Sequence, residues 1–192
     1  MKNWRSFMQV EPIRDMKDIK SIKKLLSSQP RNLLLFTLGI NSALRASDIL
    51  GITIGQVRYA NVGDRITVKE KKTGKSNVFM MNKEIKYALD SYLKTVDAKD
   101  DDFLFKSRKG SNAPLSVHAV TKYVKEWCNA IHLHIHAGSH TLRKTWCFQQ
   151  RIRYGSSWEL ISRRLAHHSP SITRTYLGIQ TEEVEEILMK SI

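Results

Sequence analysis

The chain has 192 residues and a mass of 22.2 kDa, enough for one domain, or a closely packed pair, with a sizeable core. Its 32 lysines and arginines outnumber 18 acidic residues, and the net charge of +14 indicates a polyanionic partner such as nucleic acid. The longest apolar run, residues 33–36, is too short to cross a bilayer, and the N-terminus lacks the apolar core of a signal peptide. These features argue against membrane-spanning and secreted classes, and we expect a cytoplasmic protein without a membrane partner.

The first predicted elements are helices. Asp15 is a predicted N-cap of an amphipathic helix that runs to about Ser28. The apolar stripe of this helix consists of Ile19, Ile22, Leu25 and Leu26. Pro30 is predicted to open a second helix, whose nearly continuous apolar residues over 33–40 indicate burial. A short helical turn is expected to begin at 47–50.

A β-hairpin is predicted next. Residues 65–68 and 77–80 are β-rich, and a lysine-rich turn separates them. Asn82 is then a predicted cap of a helix, and the acidic segment 97–102 is predicted to be a loop that faces away from a nucleic-acid partner. The apolar residues of the helix after Asn82 are Ile85, Leu89 and Leu93.

The second half of the chain is predicted to be helical. The helices run from Val117 to Ile131 after the cap Ser116, from about Ser139 to Gly155, from a cap at Ser156 or Ser157 through His167, and from Pro170 to Gly178. An acidic tail over 180–192 has apolar residues at helical spacing. The fold class predicted from these patterns is mainly α with a small antiparallel β-hairpin (α+β).

Cysteines and histidines do not predict a metal site. Cys128 and Cys147 are far apart and fit no metal or redox spacing, so we expect buried free thiols. His132, His134 and His136 alternate in a way that could suggest zinc, but no cysteine or carboxylate is adjacent. A basic loop near nucleic acid is the favoured interpretation.

Six residues whose side chains could bind a phosphate or take part in catalysis are scattered along the chain. In order, they are Arg45, Lys72, His140, Arg143, His167 and Tyr176. Two arginines can hold both non-bridging oxygens of a phosphate through forked hydrogen bonds. A lysine can protonate a departing oxygen, histidines can complete an anion cage, and a phenol can become a phosphate ester. Together these groups suit the attack of a tyrosine on a phosphodiester.

The spacings within this set are specific. Arg45 lies in the run Ala-Leu-Arg-Ala-Ser-Asp, just after an apolar helix. His140 and Arg143 share a helix face at i,i+3. Tyr176 follows His167 by nine residues. In their order, spacing and flanking apolar residues, these motifs resemble the catalytic domain of the tyrosine recombinases, also called the phage integrase family.

The resemblance covers about residues 11–179 and implies a supporting residue as well. Asp48, three residues after Arg45, would hold that arginine or His140 in place. Many members have a histidine where this chain has Lys144. We expect this departure to leave the chemistry intact, because the position is a supporting one in the family.

The resemblance also implies a mechanism on double-stranded DNA. The two arginines clamp the scissile phosphate and the two histidines complete the cage. Tyr176 attacks to form a 3′-phosphotyrosine, and the general acid at the hairpin turn protonates the leaving 5′-oxygen. Lys72 matches that position best, with Lys71 and Lys75 as alternatives. A 5′-hydroxyl from another strand reverses the step, so site-specific recombination needs no metal and no cofactor.

Domain organisation and partners follow from the same resemblance. We expect a catalytic domain over 1–179, no N-terminal core-binding domain, and a helical tail over 180–192. The last twelve residues carry four glutamates and one lysine, so their net charge of −3 argues against DNA contact. The tail would dock on a neighbouring protomer or fold back on its own domain. Self-association on DNA and an accessory DNA-binding protein are therefore expected partners.

Three other functions remain open to the sequence. A type IB topoisomerase uses a similar set of residues to relax DNA without exchanging partners. A non-catalytic DNA-binding regulator of recombination would have no need for a complete catalytic set. A general basic RNA-binding protein would explain the charge but not the spacings.

Overall fold

The structure is a computed structural model that describes residues 9–108, 111–178 and 188–189. It contains two compact units, Met1–Trp146 and Cys147–Ile192. The helices within the described residues are α1 (Met16–Leu25), α2 (Pro30–Ser42), α3 (Ala46–Ile49), α4 (Lys83–Leu93), α5 (Val117–Ala130), α6 (Ser139–Ile152), α7 (Trp158–Leu165) and α8 (Pro170–Leu177). The strands are β1 (Arg65–Lys69) and β2 (Ser76–Met80).

The predicted fold class is confirmed: the chain is mainly helical, and β1 and β2 form one antiparallel hairpin. The predicted caps form through local hydrogen bonds. Asp15 Oδ1 accepts from the Lys17 N–H at 2.7 Å, and Asn82 Oδ1 accepts from the Ile85 N–H at 2.9 Å. Such caps satisfy amides that have no partner within the helix. These helix starts are therefore fixed by residues close together in the sequence.

Several details differ from the sequence prediction. Helix α1 ends at Leu25 instead of about Ser28, and α6 ends at Ile152 instead of Gly155, because turns follow at 26–28 and 153–154. Leu25 is 38% exposed and does not join the buried stripe of α1. Leu26, predicted for the same stripe, is buried because it lies seven residues, nearly two turns, after Ile19, whereas Leu25 is about 100° from Leu26 around the helix. Helix α7 ends at Leu165 and does not reach His167, because Ala166 has a left-handed backbone with φ of 55°.

The core of the first unit places α6 against α2. Most apolar residues of α2 predicted to be buried are buried, including Leu34, Leu35, Phe36 and Leu38, whereas Leu33 and Ile40 at the two ends of the run are partly buried. A side chain added at Gly39 would come within 2.6 Å of Leu142 Cδ1, so the two helices approach closely at this point. The approach fixes the position of the first two turns of α6, which carry two of the predicted catalytic residues.

Other sequence expectations concern thiols, metals and membrane spans. Cys128 and Cys147 are both buried thiols outside any disulfide, as predicted. No cluster of three or more histidines, cysteines or acids suited to a metal ion occurs in residues 9–108, 111–178 or 188–189. In those same ranges no helix has the length and apolar character to cross a membrane. The predicted tail helix lies almost wholly outside the described residues.

Candidate active site

Arg45 lies in a tight connection between α2 and α3. Ala43 ends α2 in a left-handed conformation, with φ of 57°, which costs about 1–2 kcal/mol and turns the chain sharply. Leu44, 1% exposed, anchors the connection in the core. Arg45 itself is extended and directly precedes α3, so its side chain leaves the core and remains one-quarter exposed. A phosphate can therefore reach this guanidinium.

Two carboxylates lie beside the Arg45 guanidinium. Its Nη1 is 3.1 Å from Glu70 Oε2 and 3.7 Å from Asp48 Oδ2. The Asp48 side chain is fully buried, and its Oδ1 accepts from the Lys71 backbone N–H at 3.0 Å and from the Ser47 hydroxyl at 3.1 Å. Of the two residues that Asp48 was predicted to hold, the structure places Arg45 next to it.

Glu70 is a site residue that the sequence interpretation missed. It is 7% exposed, and its carboxylate accepts from the Thr73 hydroxyl and the Asn77 amide, each at 2.7 Å. Burial alone would raise the pKa of Glu70, but these two hydrogen bonds and the Arg45 charge lower it below its usual value. The carboxylate is therefore ionised at neutral pH.

A sequence signal could have identified Glu70. In β1 the buried residues Ile66 and Val68 alternate with exposed ones, and Glu70 continues this alternation inward. An acid at an inward position needs a partner, because burying an unpaired charge is costly. Arg45 is that partner, but 25 positions separate the two residues and no local pattern connects them.

Lys72 lies in the turn of the hairpin. The register pairs Lys69 with Ser76 and leaves 70–75 as the connecting turn. Lys71, Lys72 and Lys75 are all exposed there. Because exposure does not distinguish them, the assignment of the general acid to Lys72 stays a prediction.

His140 and Arg143 lie in the first turns of α6, as predicted. Arg143 is 5% exposed, whereas His140 reaches the surface. Two buried threonines fix this end of the helix: Thr141 Oγ1 accepts from the Gly138 N–H at 3.0 Å, and Thr145 Oγ1 accepts from the Ile13 N–H at 2.9 Å. The helix start is thus tied to the segment before α1. These buried contacts fix the backbone from which the Arg143 guanidinium extends.

The surroundings of His140 favour its neutral form. Partial burial of the ring lowers the pKa of His140 below 6.5, and the positive charges of Arg143, Lys144 and Arg45 lower it further. Lys144, at the position where the family often has histidine, is 4% exposed and adds to this positive field. A bound phosphate would oppose the effect by favouring the imidazolium.

The lowered pKa of His140 predicts a pH dependence of stability. As pH falls through 6.5, the unfolded chain takes up a proton at this site more readily than the folded chain, so the free energy of unfolding falls. We expect wild type to lose stability relative to His140→Asn between about pH 7 and pH 5. Urea unfolding of both proteins at several pH values measures the difference. Parallel pH profiles would contradict the prediction.

The second unit carries His167 and Tyr176, the other predicted catalytic residues. Pro170 opens α8, and Gly178 ends it with φ of 73°. Tyr176, in the last turn, is partly buried, and its ring lies edge-on to the His167 imidazole with centroids 5.4 Å apart. The nine-residue step in the sequence therefore brings a phenol next to an imidazole.

A chain of hydroxyl groups fixes the tautomer of His167. Ser162 Oγ donates to the Trp158 carbonyl at 2.6 Å and lies 2.7 Å from Thr173 Oγ1, which is 2.9 Å from His167 Nδ1. Each hydroxyl has one proton, so Thr173 must donate to Ser162 and accept from the imidazole. His167 thus carries its proton on Nδ1. This leaves Nε2 as the nitrogen that can accept a proton.

Replacing Thr173 by valine tests the hydroxyl chain. Valine has the same shape but cannot accept from Nδ1, so the preference for the Nδ1–H tautomer is lost. Since one such hydrogen bond is worth about 1 kcal/mol, we expect DNA cleavage to fall roughly 5- to 10-fold. Nitrogen-15 chemical shifts of the His167 ring report the tautomer directly. Ser171→Ala, an exposed hydroxyl on the same helix, is the control, and unchanged His167 shifts in the valine variant would contradict the prediction.

Comparison with known proteins identifies the family. The profile of the phage integrase family matches residues 13–183. The chain belongs to the phage integrase family. The probable integrase/recombinase YoeC of Bacillus subtilis is 37% identical over 174 residues, covering 90% of this chain and 92% of YoeC. Tyrosine recombinase XerA of Pyrococcus horikoshii is 24% identical over 172 residues, covering 88% of this chain and 59% of XerA.

Solved structures of tyrosine recombinases share the fold of this phage integrase family member. The crystal structure of XerA recombinase matches 92% of the chain with a TM-score of 0.73 at 20% identity. That of XerH recombinase bound to palindromic difH substrate matches 90% with a TM-score of 0.72 at 24% identity. The chain spans 64% and 49% of those two solved chains, respectively.

Membership of the phage integrase family confirms the coarse predictions. The fold is that of a tyrosine recombinase catalytic domain, and the chain is a site-specific recombinase that acts on DNA. The roles of individual residues are not decided by these comparisons. They depend on the geometry of the two groups described above: the cations of the first unit, and the His167–Tyr176 pair of the second.

Proposed function

We propose that this recombinase cleaves and rejoins duplex DNA through a covalent 3′-phosphotyrosine formed at Tyr176. The observation that carries the proposal is the placement of the Tyr176 phenol against the His167 imidazole, whose tautomer is fixed. A phenol is a weak nucleophile at neutral pH and needs a base or a positive field to lose its proton. With a proton on Nδ1, Nε2 of His167 is the ring nitrogen that would take part in this proton transfer.

The arginines of the first unit would stabilise the reacting phosphate. Arg45 and Arg143 carry fixed positive charge, and each presents a fork of N–H donors that fits two phosphate oxygens. As the tyrosine attacks, charge builds on those oxygens, and donors already in place stabilise it without reorganisation. The arginines thereby supply charge neutralisation that a divalent ion supplies in other phosphoryl-transfer enzymes.

The other two roles complete the step. His140 would donate to the phosphate once the bound anion restores its proton, and Lys72 would protonate the 5′-oxygen as it leaves. The P–O5′ bond breaks as the bond to the tyrosine oxygen forms, and the Lys72 proton yields a free 5′-hydroxyl. Because the ester keeps the bond energy, a 5′-hydroxyl of another strand can reverse the step without ATP.

A covalent adduct on a denaturing gel tests the proposed function. Duplexes nicked just downstream of the cleavage site release a short fragment with a free 5′-hydroxyl, which diffuses away and cannot rejoin, so the adduct accumulates. Duplexes covering the DNA that flanks the gene are screened in EDTA. A protein–DNA band in EDTA supports metal-free transesterification, and a strand-transfer assay separates recombination from topoisomerase-like relaxation. DNA binding without a band on any duplex would refute the proposal.

Self-association on DNA through the acidic tail is proposed as well, on sequence grounds alone. The apolar spacing of Val184, Ile187 and Leu188 requires a surface that covers it. We expect a chain truncated after residue 179 to bind DNA as a monomer where the full chain forms larger complexes, as measured by sedimentation velocity on one duplex. Identical complexes would contradict this. An accessory DNA-binding protein and a cytoplasmic location are proposed with it.

A further inference from the structure

Glu70 contacts two parts of the candidate site at once. On one side its Oε2 lies 3.1 Å from Nη1 of Arg45, the proposed phosphate clamp. On the other it accepts from the side chains of Thr73 and Asn77, which belong to the hairpin that carries the proposed general acid. We define residues 70–75 as the lysine turn. Glu70 therefore connects the phosphate clamp to the lysine turn through a single carboxylate.

The backbone of the lysine turn is fixed by short hydrogen bonds. The Glu70 N–H donates to the Lys75 carbonyl, and the Gly74 N–H donates to the Glu70 carbonyl, both at 2.9 Å. Gly74 has φ of 70°, a conformation that suits glycine. The turn thus closes on Glu70 at the backbone as well as the side chain. Its shape depends on this residue.

A second carboxylate, that of Asp48, connects the same turn to the Arg45 side chain. Asp48 Oδ1 accepts from the Lys71 N–H at 3.0 Å, while its Oδ2 faces Arg45. Both carboxylates are buried, and they flank one guanidinium. The turn can therefore move away from Arg45 only by breaking charge-assisted contacts on two sides, which are stronger than neutral hydrogen bonds.

We propose that Glu70 is a positioning residue that holds the lysine turn in register with Arg45. When Arg45 binds the scissile phosphate, the ammonium group of the lysine that acts as general acid then lies within reach of the 5′-oxygen of that phosphate. The inference rests on the proposed function. It adds a residue that contacts neither the non-bridging oxygens of the phosphate nor the leaving 5′-oxygen. It also gives the exposed lysine, whose side chain has many rotamers, a fixed base from which to reach the leaving group.

Sulfur substitution distinguishes a misplaced acid from a damaged clamp. In a substrate with sulfur at the bridging 5′-position, tyrosine attack breaks a P–S bond and releases a thiolate. A thiol has a pKa near 8.5, so the thiolate leaves without a proton, whereas an alkoxide needs one. Loss of the acid therefore slows cleavage of the oxygen substrate alone, while loss of phosphate binding slows cleavage of both substrates.

The experiment compares single-turnover adduct formation on the two substrates for the full chain and its variants. General-acid catalysis contributes about 10²–10⁴-fold, so removing the acidic lysine should cost that factor on oxygen and little on sulfur. Lys71→Ala, Lys72→Ala and Lys75→Ala identify which lysine this is. Glu70→Gln should lose about 10- to 100-fold on oxygen and recover on sulfur, because misplacement removes part of the same contribution.

Two further variants complete the comparison: one removes a contact between Glu70 and the lysine turn, and the other is a control at a distant carboxylate. Thr73→Val removes one donor to the carboxylate from the turn and leaves the Arg45 contact, so a smaller, sulfur-rescued loss is expected. Glu84→Gln removes an exposed carboxylate on α4 that pairs with Lys23 at 2.6 Å, and should change neither rate. Thermal unfolding and DNA binding confirm that each variant is folded.

The outcomes are distinct. A Glu70→Gln defect of equal size on both substrates would overturn the inference and show that Glu70 acts through Arg45. Wild-type or faster cleavage in that variant would also overturn it, since Glu70 would then merely compete with phosphate for the guanidinium. Failure of the sulfur substrate to rescue any lysine variant would overturn it together with the general-acid assignment. No wild-type adduct with either substrate would instead refute the proposed function, and the inference with it.

Discussion

We expect replacement of Tyr176 by phenylalanine to abolish the covalent protein–DNA adduct and to leave DNA affinity unchanged. In the proposed mechanism the phenol oxygen is the atom that bonds to phosphorus, and phenylalanine has no such oxygen. Phenylalanine keeps the edge-on ring contact, in which the centroids lie 5.4 Å apart, so the fold of α8 is preserved. Removal of a nucleophile in comparable covalent enzymes costs about 10⁶-fold, below detection on a gel.

Tyr154→Phe is the matched control for this variant. Tyr154 lies in the same unit, is 64% exposed and packs against the Arg153 guanidinium at 5.7 Å from its ring centroid. It has no place in the proposed chemistry, so full adduct formation is expected. Denaturing gels report the adduct, and mobility shifts report binding. An adduct that persists in Tyr176→Phe would refute the assignment of the nucleophile.

The second large effect is expected at Arg143. Lysine keeps the positive charge at this position but loses the planar fork that can hold two phosphate oxygens. Arginines that stabilise transferring phosphoryl groups contribute about 10³–10⁵-fold, and lysine should retain part of the charge effect. We therefore expect Arg143→Lys to reduce single-turnover cleavage roughly 10³-fold. The loss should be the same on the sulfur substrate, because the proposed contacts of Arg143 are with the non-bridging oxygens, which both substrates share.

Arg58→Lys is a suitable control for the change of side chain. Arg58 is a partly buried arginine that pairs with Asp100 at 2.7 Å and also donates to the Ala98 carbonyl. These partners belong to the loop after α4, outside the proposed site. Wild-type cleavage is expected in this variant. If Arg143→Lys cleaves as fast as Arg58→Lys, the proposed clamp is wrong.

The motifs of the proposed catalytic residues and most element positions could be predicted from the sequence, because both depend on residues that are close together in the chain. Asp15 and Asn82 cap their helices through amides two and three residues away. The alternation of β1 and the turn after it define the hairpin from its own residues. His140 and Arg143 share a helix face because three residues separate them, whatever lies around that helix.

The contacts that prepare those residues for chemistry were decided by the tertiary structure. Glu70 is just one acid in a lysine-rich run until the hairpin brings it to within 3.1 Å of Arg45. The tautomer of His167 is set by Ser162 and Thr173, which the turn between α7 and α8 brings within hydrogen-bond distance of each other. The left-handed conformation of Ala166 in this turn ends α7 at Leu165, whereas the sequence pattern predicted a helix through His167.

The physical reason for this division is the range of the interactions. Caps, helix faces and strand alternation arise from backbone geometry within a few residues, so the sequence by itself determined the elements and the family motifs. A buried carboxylate or a single hydroxyl proton is assigned by whichever partner lies within about 3 Å, and folding selects that partner from distant parts of the chain. The tertiary structure alone therefore decided what surrounds Arg45 and which nitrogen of His167 carries the proton.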